Sequence, residues 1–281
     1  PKRLVVSYAN DDHTIDAVNQ AVDKGIVKAT LVGDAERIGE ICRARDLDTG
    51  KFRVVDEKDE MGAANRAAAL VRDGEGDALM KGLVSTDKFM KSILENGLMQ
   101  KGDILSHVTV MEHPNYHKLL IMGDVAIIPQ PDLKQKMAIA NYLIHTARRL
   151  QIDRPKVAAI AASEQVLEAM PATVDASLLA KMSDRGQIKD AVIDGPLALD
   201  LAVSAEAVKI KKIKSEVAGD ADCLLFPNID AGNVFYKTNT KLLGATMGAM
   251  VAGARVPAVL SSRGDSVEIK LNSIALAALT A

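Results

Sequence analysis

The residues best equipped for chemistry lie in short strings that combine a cation, a hydroxyl or amide, and a glycine. They are Lys81-Gly82 with Ser85-Thr86, Gly232-Asn233 with Lys237, and Ser261-Ser262-Arg263-Gly264. An arginine guanidinium presents a planar fork of N–H donors that matches two oxygens of a phosphate. Hydroxyls add donors, and a glycine lets the backbone approach an anion closely. The last string sits between an apolar run and a helical pattern. It reads either as a phosphate cradle built on Ser262, Arg263 and Gly264, or as a plain turn with a solvated arginine.

The neighbouring residues carry a similar double reading. Glu268 is a carboxylate for the same cleft, or the third residue of a capping box opened by Asp265. Asp194 points from a strand end, or belongs to an Asp-Gly-Pro turn with Pro196 at the first helical position. Asn233 caps a helix that runs on through Met250, and Lys237 lies one turn in, near an anion or in solvent. Lys81, Gly82 and Thr86 form another strand-end loop without P-loop spacing, and Lys91 follows on its helix. The basic run from Lys209 to Lys214 reads as a solvated face, with nucleotide phosphates as the alternative. His113 and His117 flank Pro114-Asn115, which makes a turn rather than a helical metal site, so no metal is expected. Gly244, Gly248 and Gly253 are placed inside the helix, where they permit close packing.

The bulk numbers limit the partners. A chain of 281 residues can form two domains with real cores, and its 48% hydrophobic and 26% charged content is that of a globular protein. A net charge of -2 gives no reason to expect a nucleic-acid partner. Two cysteines, Cys42 and Cys223, are too few for a disulfide framework and read as buried small hydrophobes. No basic-then-apolar leader opens the chain, and no apolar run approaches the ~20 residues of a membrane span. A cytoplasmic location is the expectation.

These loops must be held by regular elements. Leu4–Val6, Ala29–Val32, Phe52–Val55 and Ala78–Met80 read as strands, separated by patterns with apolar residues three and four apart. That rhythm predicts βαβ crossovers and a largely parallel sheet. Strands at 107–111 and 119–128 flank the turn at Pro114. A helix capped by Asp132 runs to about Leu150 as the bridge between two domains. Strands at 157–161, 191–193, 223–226 and 258–260 follow, and a final amphipathic helix from Ser266 to Leu279 returns toward the first domain, with Ile269, Ile274, Leu276 and Leu279 as its apolar face.

Taken in order, Met80-Lys81-Gly82 with Ser85-Thr86, Ser106-His107-Val108, Gly123-Asp124, and Ala172 to Ala176 resemble the phosphate acetyl/butyryltransferase family. Asp184-Arg185-Gly186, Asp194 to Asp200, Ala218 to Asp222, Ala231-Gly232-Asn233 with Tyr236-Lys237, and Ser262-Arg263-Gly264 extend the likeness over nearly the whole chain. Several stretches, among them Thr173 to Pro196, look more like the butyryl branch than the acetyl branch. The resemblance implies an α/β fold of two domains, with mostly parallel sheets and flanking helices, similar to isocitrate and isopropylmalate dehydrogenases. It implies a first domain of residues 1–132 plus 262–281, a second of 133–261, an active-site cleft between them, and a homodimer. The implied activity moves a short-chain acyl group between coenzyme A and inorganic phosphate, with CoA as substrate and no bound cofactor. By the same likeness Arg263 holds the phosphate, Ser262 the oxyanion, and Glu268 is the nearest carboxylate for a base, one residue before the position where the acetyl branch has aspartate. Lys81, Gly82, Thr86, Lys91, Asp194, Asn233, Lys237 and Gly264 are the expected substrate contacts. A phosphate acetyltransferase is the alternative; a non-catalytic CoA- or nucleotide-binding module and an NAD-dependent decarboxylating dehydrogenase are remoter ones.

Overall fold

Runs such as Leu4-Val5-Val6-Ser7 are buried at every position rather than at alternate ones, as happens when a parallel strand is covered by helices on both faces. The computed structural model describes residues 1–99, 102–261 and 264–281. Its chain divides into two compact units, Pro1–Leu105 with Gly248–Ala281, and Ser106–Met247.

The first unit begins with β1 (Lys2–Ser7), α1 (Asp12–Asp23), β2 (Val27–Gly33), α2 (Ala35–Ala44), β3 (Phe52–Asp56), α3 (Glu60–Arg72), β4 (Ala78–Lys81) and α4 (Thr86–Glu95). The helices start directly off strand ends because capping residues wait there: Asp11, Asp34, Asp59 and Ser85 each accept a backbone N–H of the first turn.

The second unit holds β5 (Ser106–Glu112), β6 (Leu120–Gly123), α5 (Leu133–Arg149), β7 (Lys156–Ile160), α6 (Pro171–Asp184), β8 (Val192–Leu197), α7 (Leu199–Val203), α8 (Ala205–Lys211), β9 (Cys223–Leu225) and α9 (Ile229–Lys241). β10 (Thr246–Ala252) carries the chain back to the first unit, which closes with β11 (Ala258–Val259) and α10 (Val267–Thr280).

In the first unit the strands lie in the order β3, β2, β1, β4, β11, all parallel, and β10 runs antiparallel to β11. Ser7 pairs with Lys81 and Met80 with Val259, so the chain leaves β1, β4 and β11 at one edge. α10 packs its Ile274, Ala277 and Ala278 into the core that also holds Ile15, Val18, Ala78, Met80 and Val259. Each large aliphatic side chain fully buried this way contributes about 1.5–3 kcal/mol. In the second unit the order is β5, β6, β9, β7, β8, parallel except for β5 against β6.

The expected mixed α/β class with mostly parallel sheets holds, but several local expectations do not. The second unit opens at Ser106, not at 133, because β6 pairs with β9 through Ile121 and Cys223. It closes at Met247, not at 261, because β11 pairs with β4. α5, capped by Asp132 as expected, lies within the second unit rather than bridging two. β6 stops at Gly123 instead of running to Ile128. The helix expected through Met250 ends at Lys241, and Met250 lies in strand β10. Gly244 and Gly253 take positive φ in the turns on either side, and Gly248 lies in β10. The backbone of α10 comes so close that a Cβ on Gly248 would lie 2.9 Å from the Asn272 carbonyl. The close packing expected of this glycine is therefore strand on helix.

Candidate active site

Tyr8, directly after β1, adopts a left-handed conformation with φ 54°, and the strand ends there. The Ser7 and Tyr8 carbonyls accept the N–H groups of Gly82 and Leu83, both at 2.9 Å. Gly82 is required by this approach: a Cβ there would lie 2.5 Å from the Tyr8 oxygen and 2.8 Å from the Ser7 oxygen. Lys81 is only 4% exposed, and its Nζ donates to the Gly82 carbonyl at 3.2 Å. Side chains alternate along a strand. Ala78 and Met80 enter the core shared with α10, so Lys81 points to the opposite face, beside its register partner Ser7. Ser7 Oγ is, among the described residues, the one buried side-chain nitrogen or oxygen without a hydrogen-bond partner.

Thr86 opens α4, exposed, behind the Ser85 cap. Lys91 lies farther along that helix, exposed and 3.7 Å from Glu95 in an i,i+4 ion pair.

The end of β11 adjoins that of β4. Ser261 is buried there, and the next two residues, Ser262 and Arg263, lie outside the described residues. Gly264 is exposed, with open space where a Cβ would stand. The capping box expected from Asp265 and Glu268 is absent. Ser266 is the N-cap and accepts from the Ile269 N–H at 3.2 Å, so Glu268 is an exposed first-turn carboxylate with no part in that cap bond. The buried residues of α10 are Lys270, Ser273, Ile274, Leu276, Ala277 and Ala278, so the expected face holds at Ile274 and Leu276 but not at Ile269 and Leu279. Lys270 is 3% exposed, and its Nζ donates to Ser261 Oγ at 3.2 Å. Burial pushes its pKa below the ordinary lysine value, while the Asp11 and Asp265 carboxylates pull the other way.

In the second unit the analogous edge is organised by Asp124, which is 2% exposed. Its carboxylate accepts from Ser106 Oγ at 3.0 Å and from the N–H groups of His107, Ala126, Ile127 and Ile128 at 2.7–3.3 Å. α9 begins at Ile229 under the Asn228 cap, so Asn233 is not the cap expected of it. Instead its Nδ2 donates to the Val125 carbonyl at 2.9 Å, one turn along. Gly232 lets the helix approach that loop, since a Cβ would lie 2.4 Å from the Asp124 oxygen. Lys237 is exposed, its Nζ 5.2 Å from the Tyr236 ring centroid, and Tyr236 meets the buried His107 ring edge-on. Asp194 stands inside β8 rather than at its end. That strand continues through Pro196 to Leu197, and Asp194 Oδ1 accepts its neighbour's N–H.

The structure thus gathers Lys81, Gly82, Thr86, Gly264 and Glu268 on a strand end, loops and helix starts at one edge of the first unit. Asn233 and Lys237 share an edge of the second unit; Lys91 and Asp194 stand apart from these groups. Sequence reasoning missed Lys270 and gave Asp124 no role. A lysine opening an otherwise apolar helical stripe was the available signal for the first. For the second the local signal was an aspartate that can accept from the N–H groups two to four residues on, while its donors on β5 could not be read from the sequence.

Residues 62–278 match the model of the family described as phosphate acetyl/butaryl transferase. A phosphate butyryltransferase of Clostridium acetobutylicum is 45% identical over 281 residues, covering 100% of this chain and 93% of that protein. A phosphate acetyltransferase of Thermotoga maritima is 40% identical, with 100% and 95% covered. The crystal structure of a branched-chain phosphotransacylase from Enterococcus faecalis superposes with a TM-score of 0.88 at 31% identity, covering 100% of this chain and 99% of that one. With strand-end loops rich in cations, hydroxyls and glycines, and likeness along its full length, the chain belongs to the phosphate acetyl/butaryl transferase family.

Proposed function

We propose that this enzyme transfers a short-chain acyl group reversibly between coenzyme A and inorganic phosphate, and that it prefers butyryl or a branched group of similar size to acetyl. The observation that carries this reading is the 45% identity to a phosphate butyryltransferase along the entire chain. The edge of the first unit supports it, with a buried ammonium at Lys81 and a second at Lys270 beside the loop that leads to Ser262 and Arg263.

In the direction of thioester formation the CoA thiol loses its proton and attacks the acyl-phosphate carbonyl. The C–S bond forms, a tetrahedral oxyanion follows, and the C–O bond to phosphate breaks. Arg263 and Lys81 hold the phosphate, and the Ser262 hydroxyl donates to the oxyanion. Glu268 is the base for the thiol; its exposure leaves it open to a substrate. Gly82, Thr86 and Gly264 shape the anion loop, and Lys91, Asp194, Asn233 and Lys237 are substrate contacts. No helix among the described residues is long and apolar enough to cross a membrane. We read the protein as a cytoplasmic homodimer without nucleic-acid or membrane partners.

The test is thiol release from butyryl-CoA with and without phosphate, in the presence of a chelator. Cys42 and Cys223 are buried with thiols pushed above the ordinary range, so the protein's own sulfur adds little signal. Release should require phosphate and survive chelation; phosphate-independent release or loss on chelation refutes the chemistry. Two additional buried methylenes at ~0.8 kcal/mol each favour butyryl- over acetyl-CoA by roughly tenfold in kcat/KM. A severalfold preference for acetyl-CoA replaces the butyryl reading with the acetyltransferase one.

A further inference from the structure

We propose that Lys270 is a positioning residue of the acyl-transfer site: its buried amine holds the Ser261 hydroxyl two residues beyond β11 and adds positive charge for a phosphoryl anion. The inference rests on the function proposed above. Three observations lead to it. Lys270 is the first buried residue of α10, where the next are Ser273, Ile274, Leu276, Ala277 and Ala278. An aliphatic residue would fill that place without the desolvation cost of an ammonium. Its Nζ donates to Ser261, whose neighbour in sequence is Ser262. The strand that leads to Ser261 lies next to β4, which ends in the second buried lysine, Lys81.

Groups on three elements act on the Lys270 charge among the described residues. α1 supplies Asp11 at its N-cap, and the loop before α10 supplies Asp265. The Ser261 hydroxyl, two residues beyond β11, accepts the Lys270 hydrogen bond, and Lys81 at the end of β4 lies on the opposite face of the sheet. Both carboxylates favour the charged amine and burial opposes it, with burial the stronger. Lys270 therefore loses its proton at lower pH than an ordinary lysine. Its charge is complete below that pKa, so phosphate binding is strongest there and weakens as pH rises through it.

The experiment follows kcat and KM for phosphate and for acyl-CoA from about pH 6 to 10 in the wild type, Lys270→Arg and Lys270→Met. In the wild type the phosphate KM should rise on the basic side while the acyl-CoA KM stays flat. Lys270→Met should lose roughly ten- to a hundredfold in kcat/KM for phosphate, the range of one charge-assisted hydrogen bond, and should lack the basic limb. Lys270→Arg should recover most of that loss and push the limb upward, because a guanidinium does not deprotonate in this range. Three results overturn the inference: Lys270→Met within about twofold of wild type, Lys270→Arg as impaired as Lys270→Met, or the same basic limb in all three proteins. Should Lys270→Met fail to fold by circular dichroism, the comparison of wild type with Lys270→Arg decides alone: an unmoved limb refutes and a shifted one supports. Wild-type protein without phosphate-dependent thiol release refutes the proposed function itself, which separates the two failures.

Discussion

Gly82→Ala tests whether the edge formed by β1 and β4 positions the chemistry. The added methyl would lie 2.5 Å from the Tyr8 carbonyl oxygen, 2.8 Å from that of Ser7 and 3.0 Å from the Tyr8 carbonyl carbon. All three are backbone atoms at and just beyond the end of β1, so no flexible side chain can swing aside. Overpacking of this kind costs about 1–3 kcal/mol. If the loop retreats instead, the Gly82 and Leu83 hydrogen bonds to Ser7 and Tyr8 stretch. Those two bonds are worth about 1 kcal/mol each. The expected destabilisation is therefore roughly 1–3 kcal/mol, which lowers Tm by roughly 2–12 °C in a chain of this size. The retreat also moves Lys81, and a displacement near 1 Å costs up to ~100-fold in rate. The assay pairs differential scanning calorimetry with kcat/KM for phosphate. Gly264→Ala is the matched control for stability: nothing lies within 4 Å of its Cβ position, so its Tm should stay unchanged. Gly82→Ala with native Tm and kinetics within about twofold of wild type would refute the reasoning.

Three further outcomes are expected. Glu268→Gln should lower turnover sharply at constant Tm, since Ser266 and not Glu268 caps α10; turnover within about twofold removes Glu268 as the base. Asp124→Ala should destabilise the second unit by about 3–5 kcal/mol, because it strips a buried acceptor from five donors, and a thermal shift below about 2 °C contradicts that. Arg3, which donates to Asp77, holds that carboxyl down at about 2. Its contribution to stability is present above the ordinary aspartate value and is lost as pH falls toward 2, so Asp77→Asn should flatten the decline of Tm between about pH 4 and 2. An unchanged acid profile would show that the pair contributes nothing.

Fold class and the strand-end loops were legible because they are local. Apolar runs such as Leu4–Val6 and Ala78–Met80 specify buried strands by composition alone, and caps such as Asp34 and Asp132 act on the turn that directly follows them. The motifs quoted from Lys81 to Gly264 place the chain in its family by their order, which needs no coordinates. Pairing across long sequence separations was not legible. Met247 to Val251 reads equally well as a buried helix face or a buried strand, and the choice of strand came from pairing with β11 and from α10 lying against Gly248. The capping role given to Asn233 fell to Asn228 for a similar reason: both suit a cap, and the helix start is decided by where β9 ends. The unit boundary at Ser106 follows from β6 finding β9, about a hundred residues away. Lys270 shows the same limit at a single side chain. Its sequence neighbours mark a terminal amphipathic helix, but only the rotation of that helix in the fold decides whether Ile269 or Lys270 faces inward, and packing against α1 and β11 turned the lysine in.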